Sequence, residues 1–204
     1  MTTPIRHIVF DIGSVLIHYD PELPFRQIIP DPEERRRFLE TVCTHDWNLE
    51  QDRGRPWSEA EAELIARHPQ EEARIRAFRQ RWHEMVPRAL DDSVAVMLSL
   101  IEAGFDVTML TNFAADTFAE ARGRFAFLNA PRGVTVSAEV GLIKPDIAIY
   151  RHHARSFGLT PENTLFIDDV AANVEGARSA GWQAIRFTGA EKLKADLSAV
   201  GIAV

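Results

Sequence analysis

The chain has 204 residues, 46% of them hydrophobic, which suits one core domain carrying an insertion or two small domains. Its 23 basic and 30 acidic side chains give a net charge of −7, so we expect no nucleic-acid-binding surface. The sequence lacks a ~20-residue apolar run, a signal-peptide segment and a second cysteine beside Cys43, which predicts a cytoplasmic protein with no membrane partner.

Five short runs rich in Val, Ile, Phe and Thr predict buried strands. They span residues 7–17, 105–111, 133–137, 164–168 and 183–187. Helical segments separate the later runs, with Asp91 and Asp92 as expected caps of the first and glycine stops at Gly104, Gly158 and Gly181. This alternation predicts an α/β fold, a Rossmann-like parallel sheet with helices on both faces.

Residues 18–90 interrupt the alternation, because they hold almost no β-branched runs and are patterned as helices. One predicted helix begins at Pro32 with Asp31 as its cap, and a second begins with Ser58 as its cap. A third is expected over residues 70–86, where apolar residues recur at helical spacing. Cys43, Trp57 and Trp82 are expected to be buried among these helices.

The position of this helical insert, directly after the first strand, predicts two domains. Residues 1–17 and 91–204 are expected to form the α/β core, and residues 18–90 an inserted helical cap domain. Ligands of open parallel sheets bind beyond the carboxyl ends of the strands, so the insert is expected to stand over that crevice. The proline-bearing connections HYDPELP and MVPRALDD are candidate hinges.

Polar side chains follow several of the predicted strands at the point where each strand ends. They are Asp11, Thr111, Asn112, Asp168 and Asp169, with Lys144 shortly after the third strand. Each alone is most simply a helix cap, a turn residue or a surface charge. Because the carboxyl ends of parallel strands meet at one edge of a sheet, their coincidence predicts a chemical site.

Four segments resemble the motifs of the haloacid dehalogenase-like (HAD) hydrolase superfamily, mostly phosphatases, in the subgroup with a helical cap inserted after the first strand. They are IVFDIGSVL at 8–16, VTMLTN at 107–112, GLIKPDIAIY at 141–150 and TLFIDDVAANVEGARSAGW at 164–182. The segments keep the family's order around the insert, and the resemblance covers nearly the whole chain. It implies a phosphatase that acts on a small phosphorylated metabolite.

The resemblance also implies a catalytic pair, Asp11 and Lys144, and a Mg²⁺ cofactor. Asp11 would attack phosphorus to form an aspartyl-phosphate that water then hydrolyses. The implied metal ligands are Asp11, the backbone carbonyl of Gly13, and Asp168. The implied phosphate-binding residues are Thr111, Asn112 and Lys144. Asp169 and Asn173 would lie in supporting positions around the metal and the lysine.

Position 13 departs from the family's usual pattern. In most family phosphatases the second residue after the nucleophile is an Asp that protonates the leaving group and later activates the water. Here that position holds Gly13, similar to a branch that acts on sugar phosphates, and acid–base help of this kind is typically worth about 10²–10⁴-fold. We expect a slower or differently assisted phosphatase. The residues near the entry to the insert that could substitute are His18, Asp20, His45, Asp46 and Asp52.

Two alternatives stay open on the sequence. A 2-haloacid dehalogenase would use the same aspartate on carbon without a metal, but the paired carboxylates of Asp168 and Asp169 suit a cation better than a neutral C–Cl bond. A binding or regulatory protein on a weakened phosphatase scaffold would follow from Gly13. Turnover of a generic aryl phosphate that responds to metal separates these alternatives.

Other polar and aromatic features are interpreted as structural. Trp47 is expected to pack between helices, although Asp52 or Arg53 of the sequence DRG nearby could reach substrate. His152 and His153 are adjacent on a predicted helix and point apart, which disfavours a metal site. The arginines at 35–37 suit a solvated helix face, and Trp182 the core of the α/β domain.

Overall fold

The computed structural model describes residues 4–203, and its sheet has five parallel strands. The strands are β1 (His7–Phe10), β2 (Asp106–Thr111), β3 (Val134–Val136), β4 (Thr164–Asp168) and β5 (Gln183–Arg186). Their order across the sheet is β3-β2-β1-β4-β5, with Phe10 level with Met109 on one side and with Ile167 on the other. The central strand β1 therefore ends between the ends of β2 and β4.

Helices make up most of the remaining described chain, and six α-helices lie within residues 18–90, the predicted helical insert. These are α1 (Glu22–Ile28), α2 (Pro32–Thr41), α3 (His45–Asp52), α4 (Trp57–Arg67), α5 (Glu72–Gln80) and α6 (Trp82–Met85), with a 3-10 helix at Pro69–Glu71. The later helices are α7 (Asp91–Glu102), α8 (Ala115–Arg124), α9 (Ser137–Val140), α10 (Ile147–Phe157), α11 (Ala171–Ser179) and α12 (Ala190–Ala199), with 3-10 helices at Ala126–Asn129 and Pro161–Asn163.

The two faces of the sheet are covered by different helices. Ile8 and Phe10 of β1 belong to an apolar cluster that includes Met97 of α7 and Leu193 of α12. Val9 points the other way, into a cluster with residues of α10 and α11. This alternation along one strand places helices on both faces, so the predicted α/β, Rossmann-like parallel sheet is confirmed.

The first predicted strand is too long. β1 ends at Phe10, and the backbone N–H groups of Leu16 and Ile17 both donate to the Ile12 carbonyl, at 2.8 and 3.0 Å. Residues 11–17 therefore form a tight turn rather than extended chain, with Ser14 at a φ of +57°. The apolar side chains of this turn are buried, and a short buried run has the same composition in a turn as in a strand.

Several predicted helix boundaries also differ. Asp31 caps α2 as predicted, since its side chain accepts the Glu34 N–H, but α4 begins at Trp57 and Ser58 caps nothing. The helix predicted over 70–86 is broken at Arg81 into α5 and α6. Asp91 and Asp92 lie within the first turn of α7 instead of capping it.

The two connections to the helical insert are hydrogen-bonded to each other. The Leu90 N–H donates to the Leu16 carbonyl (2.8 Å), and the His18 N–H donates to the Arg88 carbonyl (3.0 Å). The insert also shares apolar packing with the sheet, because Phe25 and Phe78 lie in the same cluster as Ile8. The division at residues 18–90 and the hinge role of its connections stay predictions. Within residues 4–203, no helix is both long and apolar enough to cross a membrane.

Candidate active site

The carboxyl ends of β1, β2 and β4 meet at one end of a cavity of about 350 Å³. The parallel register places Asp11, Thr111 and Asp168 at neighbouring strand ends, one residue or less beyond the last paired positions. Asp11, Gly13, Thr111, Lys144 and Asp169 all line the cavity. The sequence-predicted cluster therefore exists as a spatial cluster, at the edge where ligands of parallel sheets bind.

Lys144 lies between two of the carboxylates. Its Nζ is 2.8 Å from Asp11 Oδ1 and 2.7 Å from Asp168 Oδ2, and the residue is only 2% exposed. Burial alone would lower the pKa of Lys144, but the charges of Asp11 and Asp168 outweigh it and raise that pKa. Lys144 is therefore held as a cation next to the Asp11 carboxyl group.

The side chain of Asn112 positions the backbone of Lys144. Asn112 Oδ1 accepts the Lys144 N–H at 2.9 Å, and Asn112 Nδ2 donates to the Lys144 carbonyl at 3.1 Å. Both polar atoms of the amide are thus engaged. The Asn112 side chain therefore positions Lys144, and the phosphate-binding role of residue Asn112 stays a prediction.

Asp168 is fully buried, and its carboxylate oxygens are already hydrogen-bonded. The Val170 N–H donates to Oδ1 at 2.8 Å, and Asn173 Nδ2 lies 3.1 and 3.0 Å from the two oxygens. Together with Lys144 these donors surround a carboxylate that is 0% exposed. Asp168 and Asn173 therefore form the support that fixes the Lys144 ammonium group.

Asp169 points to the cavity instead. It is half-buried and lines the cavity together with Asp11, whereas Asp168 does not. One carboxylate oxygen from each of Asp11, Asp168 and Asp169 lies within 4.8 Å of the others. Such a set of close oxygen donors is the kind that holds a hard divalent cation.

Two carboxyl groups of this cluster, those of Asp11 and Asp169, have raised pKa values, so their ionised forms are disfavoured. Burial raises the pKa of Asp11 to about 7; Lys144 opposes this rise, and the charge of Asp168 adds to it. Burial and the neighbouring Asp168 likewise raise the pKa of Asp169. A cation next to these groups would favour their ionised forms.

The helical insert supplies the far walls of the cavity. Of the predicted substitutes for the missing acid, His45 and Asp52 line the cavity, while His18, Asp20 and Asp46 do not. Asp20 instead accepts the Glu22 N–H (2.9 Å) and pairs with Arg26 (2.9 Å).

Sequence reasoning missed several residues that line the cavity. They are Tyr19, Asn48, Leu49, Phe113 and Thr117. Trp57 and Trp82, expected to be buried among the helices of the insert, line the cavity as well; Trp82 is buried and Trp57 half-buried. No sequence signal marks these residues, because the spacing along a helix does not say which neighbour each face meets.

The features interpreted as structural lie in packed surroundings. Trp47, Trp182 and Cys43 are buried. His153 is fully buried, with its ring nitrogens 2.9 Å from Thr108 Oγ1 and 2.8 Å from Thr135 Oγ1. Burial lowers the pKa of His153 to about 3, so its ring is neutral and serves as a hydrogen-bonding group in the core.

Comparisons with known proteins connect this geometry to a family. A family model described as haloacid dehalogenase-like hydrolase matches residues 5–181. A sesquiterpene phosphatase of Aspergillus oryzae is 26% identical over 199 residues, which cover 92% of each chain. A phosphatase of Mycobacterium tuberculosis is 37% identical over 82 residues, 40% of this chain and 38% of that protein.

Solved structures share the fold at lower identity. A HAD family enzyme of Bacteroides thetaiotaomicron superimposes with a TM-score of 0.75 at 21% identity, covering 96% of this chain and 99% of that one. An L-2-haloacid dehalogenase of Xanthobacter autotrophicus gives a TM-score of 0.64 at 18% identity, covering 98% and 85%. With the family model matching most of its length, the chain belongs to the haloacid dehalogenase-like hydrolases.

Proposed function

We propose that the protein is a Mg²⁺-dependent phosphatase that hydrolyses a small phosphomonoester through an aspartyl-phosphate on Asp11. The observation that carries this proposal is the placement of the Lys144 ammonium group 2.8 Å from Asp11 in a cavity that Asp169 also lines. A carboxylate nucleophile, a fixed cation and a second carboxylate are what attack on an anionic phosphate requires. Two phosphatases among the relatives support the same reaction class.

The proposed metal ligands are Asp11, the Gly13 carbonyl and Asp169. This choice exchanges the roles that the sequence assigned to Asp168 and Asp169, because the oxygens of Asp168 are committed to Lys144, Asn173 and Val170. Bound there, Mg²⁺ supplies positive charge that offsets the repulsion between the nucleophile and the phosphate. A Bacteroides thetaiotaomicron enzyme of the same fold, described in complex with magnesium and inorganic phosphate, supports the identity of the ion.

The remaining residues bind and orient the phosphoryl group. Thr111 ends β2 and lines the cavity, so its hydroxyl group is proposed to donate to a phosphate oxygen. Lys144 neutralises charge on the phosphoryl group and keeps one oxygen of Asp11 turned toward itself. Three residues act through Lys144: Asn112 is hydrogen-bonded to its backbone, Asp168 accepts from its ammonium group, and Asn173 donates to the Asp168 carboxylate.

The walls of the cavity favour an apolar leaving group. Its apolar lining residues include Ile17, Leu49, Trp57, Trp82, Val86 and Phe113. Aromatic and branched side chains of this kind bind hydrocarbon surface rather than the hydroxyl groups of a sugar. The sesquiterpene phosphatase of Aspergillus oryzae, similar over 92% of the chain, supports a terpenoid-like or aryl alcohol as the leaving group. The sugar phosphate suggested by the sequence stays the less favoured prediction.

The dehalogenase alternative fits the cavity less well. A haloacid carboxylate needs a cation, and Lys144 is the one lysine or arginine among the residues that line the cavity in the described part of the chain. That cation is already paired with Asp11 and Asp168. The likeness to the Xanthobacter autotrophicus dehalogenase is a likeness of fold.

Hydrolysis of p-nitrophenyl phosphate with Mg²⁺ or with EDTA tests the proposed function. We expect turnover that Mg²⁺ supports, EDTA abolishes and Asp11→Asn removes. Asp46→Asn, which changes an exposed carboxylate outside the cavity, is the matched control. Chloride release from 2-chloropropionate that resists EDTA would establish the dehalogenase instead. A folded protein that binds inorganic phosphate and turns over no phosphate ester would be a weakened scaffold.

A further inference from the structure

The carboxyl group that usually supplies a proton in this family is absent two residues after the nucleophile, at position 13. Gly13 has no side chain, and the Lys144 ammonium group is committed to Asp11 and Asp168. An alcohol with an apolar chain is a poor leaving group, because its alkoxide is a strong base. Another group that lines the cavity would have to supply this proton, an inference that rests on the proposed phosphatase function.

Asp52 is the last residue of α3 and is fastened to the core by its own backbone. Its carbonyl accepts a hydrogen bond from Ser137 Oγ, and the same oxygen of Ser137 accepts the Phe113 N–H at 2.9 Å. Ser137 is fully buried at the start of α9. The end of α3 is thereby tied to the loop that follows Thr111 at the end of β2.

The turn after Asp52 fits closely against the core as well. Gly54 has a φ of +109°, and a Cβ at this position would stand 3.0 Å from the Ala138 carbonyl oxygen. Glycine is therefore required here both by conformation and by space. The sequence DRG at 52–54 thus serves as a docking turn, which holds Asp52 at a fixed place beside the cavity.

The carboxyl group of Asp52 is set up to hold a proton. It lines the cavity, half-buried, at the C-terminal end of a helix, where the helix dipole disfavours negative charge. Burial raises the pKa of Asp52 to about 7, while the Ala114 N–H and the charge of Lys144 oppose the rise. Asn48 Nδ2 lies 3.5 Å from Asp52 Oδ2. A carboxyl group near half-protonation at neutral pH can both give and take a proton.

The competing groups are less suited. His45 lines the cavity but is exposed at the first turn of α3. Tyr19 is 37% exposed, but burial of its hydroxyl group and the charges of Asp52 and Asp20 raise its pKa, which makes that hydroxyl group a weaker acid. Thr117 donates its hydroxyl hydrogen to the Ala114 carbonyl at 3.1 Å.

We propose that Asp52, supplied by the helical insert, is the general acid and base that replaces the carboxyl group absent at position 13. As Asp11 attacks phosphorus, the P–O bond to the leaving alcohol breaks and its electron pair stays on the alcohol oxygen. The proton of Asp52 moves to that oxygen, which releases a neutral alcohol and leaves Asp52 ionised. Asp52 then takes a proton from the water that attacks the aspartyl-phosphate, which frees phosphate and restores both residues.

A leaving-group series tests the role of Asp52. The kcat/KM values of wild type, Asp52→Asn and Asp46→Asn are measured with p-nitrophenyl phosphate, phenyl phosphate and a long-chain alkyl phosphate. Asn keeps an oxygen for the Ala114 N–H and cannot donate as an acid. We expect Asp52→Asn to lose about 100-fold or more with the alkyl ester and little with p-nitrophenyl phosphate, whereas Asp46→Asn changes neither.

Gly13→Asp in the Asp52→Asn background provides the second measurement. A Cβ at Gly13 would meet no atom within 4 Å, so the first side-chain atom has room there. We expect the added carboxyl group to recover at least 10-fold of the lost alkyl ester activity. An equal loss of activity with all three esters in Asp52→Asn, or an unchanged series, would overturn the role of Asp52. Turnover of none of them by the wild type would overturn the phosphatase function itself.

Discussion

The side chain of Asn112 and the backbone of Lys144 are joined by a reciprocal pair of hydrogen bonds, at 2.9 and 3.1 Å. The residue that directly follows β2 thereby sets the position of a lysine 32 residues later. The lysine in turn contacts carboxylates at the ends of β1 and β4. The side-chain amide of Asn112 therefore helps to fix the relative positions of polar groups at the ends of β1, β2 and β4.

Removing this amide should reduce catalysis more than stability. In Asn112→Ala the Lys144 backbone loses both partners, and a displacement of about 1 Å in a catalytic group can cost about 10²-fold in rate. We expect kcat with p-nitrophenyl phosphate to fall about 10- to 100-fold, with KM changed less. Asn129→Ala, which alters an exposed asparagine far from the cavity, is the control. Wild-type kcat in Asn112→Ala would contradict the positioning role.

Asp168 and Asp169 should respond differently to neutralisation, although they are adjacent. Asp169→Asn removes a proposed metal ligand, so the Mg²⁺ concentration for half-maximal activity should rise about 10- to 100-fold. Asp168→Asn removes the partner of Lys144 and should lower kcat with a much smaller change in the Mg²⁺ requirement. Activity measured across a Mg²⁺ titration distinguishes the two effects. The reverse pattern would return the ligand role to Asp168, as the sequence suggested.

The neighbouring strand ends could be predicted because the parallel sheet fixes them. Asp11 follows β1, Thr111 ends β2 and Asp168 ends β4, and a parallel sheet brings the carboxyl ends of its strands to one edge. The partition between Asp168 and Asp169 could not be predicted, because it depends on which side chain meets Lys144 and Asn173. Composition also could not distinguish the buried turn at 11–17 from a strand.

The helical insert was predictable in character but not in orientation. Its helices follow from their apolar spacing, yet the faces that line the cavity are set by contacts distant in sequence. Trp57 Nε1 donates to Asp116 Oδ1 at 3.1 Å, and Arg79 pairs with Asp116 and Glu120 of α8. The spacing of apolar residues along a helix does not predict these distant partners. Trp57 is therefore expected from the sequence to be buried among helices rather than to line the cavity.

Lys144 should matter for stability as well as for activity, because it is buried between two carboxylates. Loss of one partner from a buried ion pair typically costs about 3–5 kcal/mol. Lys144→Met should therefore be destabilised at pH 8, less so at pH 5, where protonation of Asp11 relieves the buried charge. Its kcat should fall about 10²- to 10³-fold. Urea unfolding at the two pH values without Mg²⁺ measures this effect, and equal losses at both would contradict it.

Gly176 should tolerate no side chain, although it lies inside a helix. A Cβ there would stand 2.5 Å from the Pro145 carbonyl oxygen and 3.0 Å from the Tyr150 ring. Gly176→Ala should push α11 from the loop that carries Lys144 and cost about 1–3 kcal/mol. Gly123→Ala is the matched control, because a Cβ at that helical position would meet nothing within 4 Å. It should be neutral or stabilising by up to about 1 kcal/mol. Equal thermal stability of the two variants would refute the close approach.

The raised pKa of Asp52 predicts a pH-dependent effect on folding. Its pKa is about 7 in the folded protein and near its ordinary 3.8 when unfolded. The contribution of this group to stability is therefore complete below about pH 4 and is lost as the pH rises through 7. Asp52→Asn carries no such charge, so the Tm of the variant relative to wild type should increase from pH 4 to pH 8. Both proteins are measured without Mg²⁺, and the difference between their Tm values cancels the contribution of Asp11, which they share. Asp46→Asn, which changes an exposed carboxylate on the same helix, is the control. If the Asp52→Asn difference does not change with pH, the pKa of Asp52 is not raised in the folded protein and Asp52 cannot serve as the proposed acid.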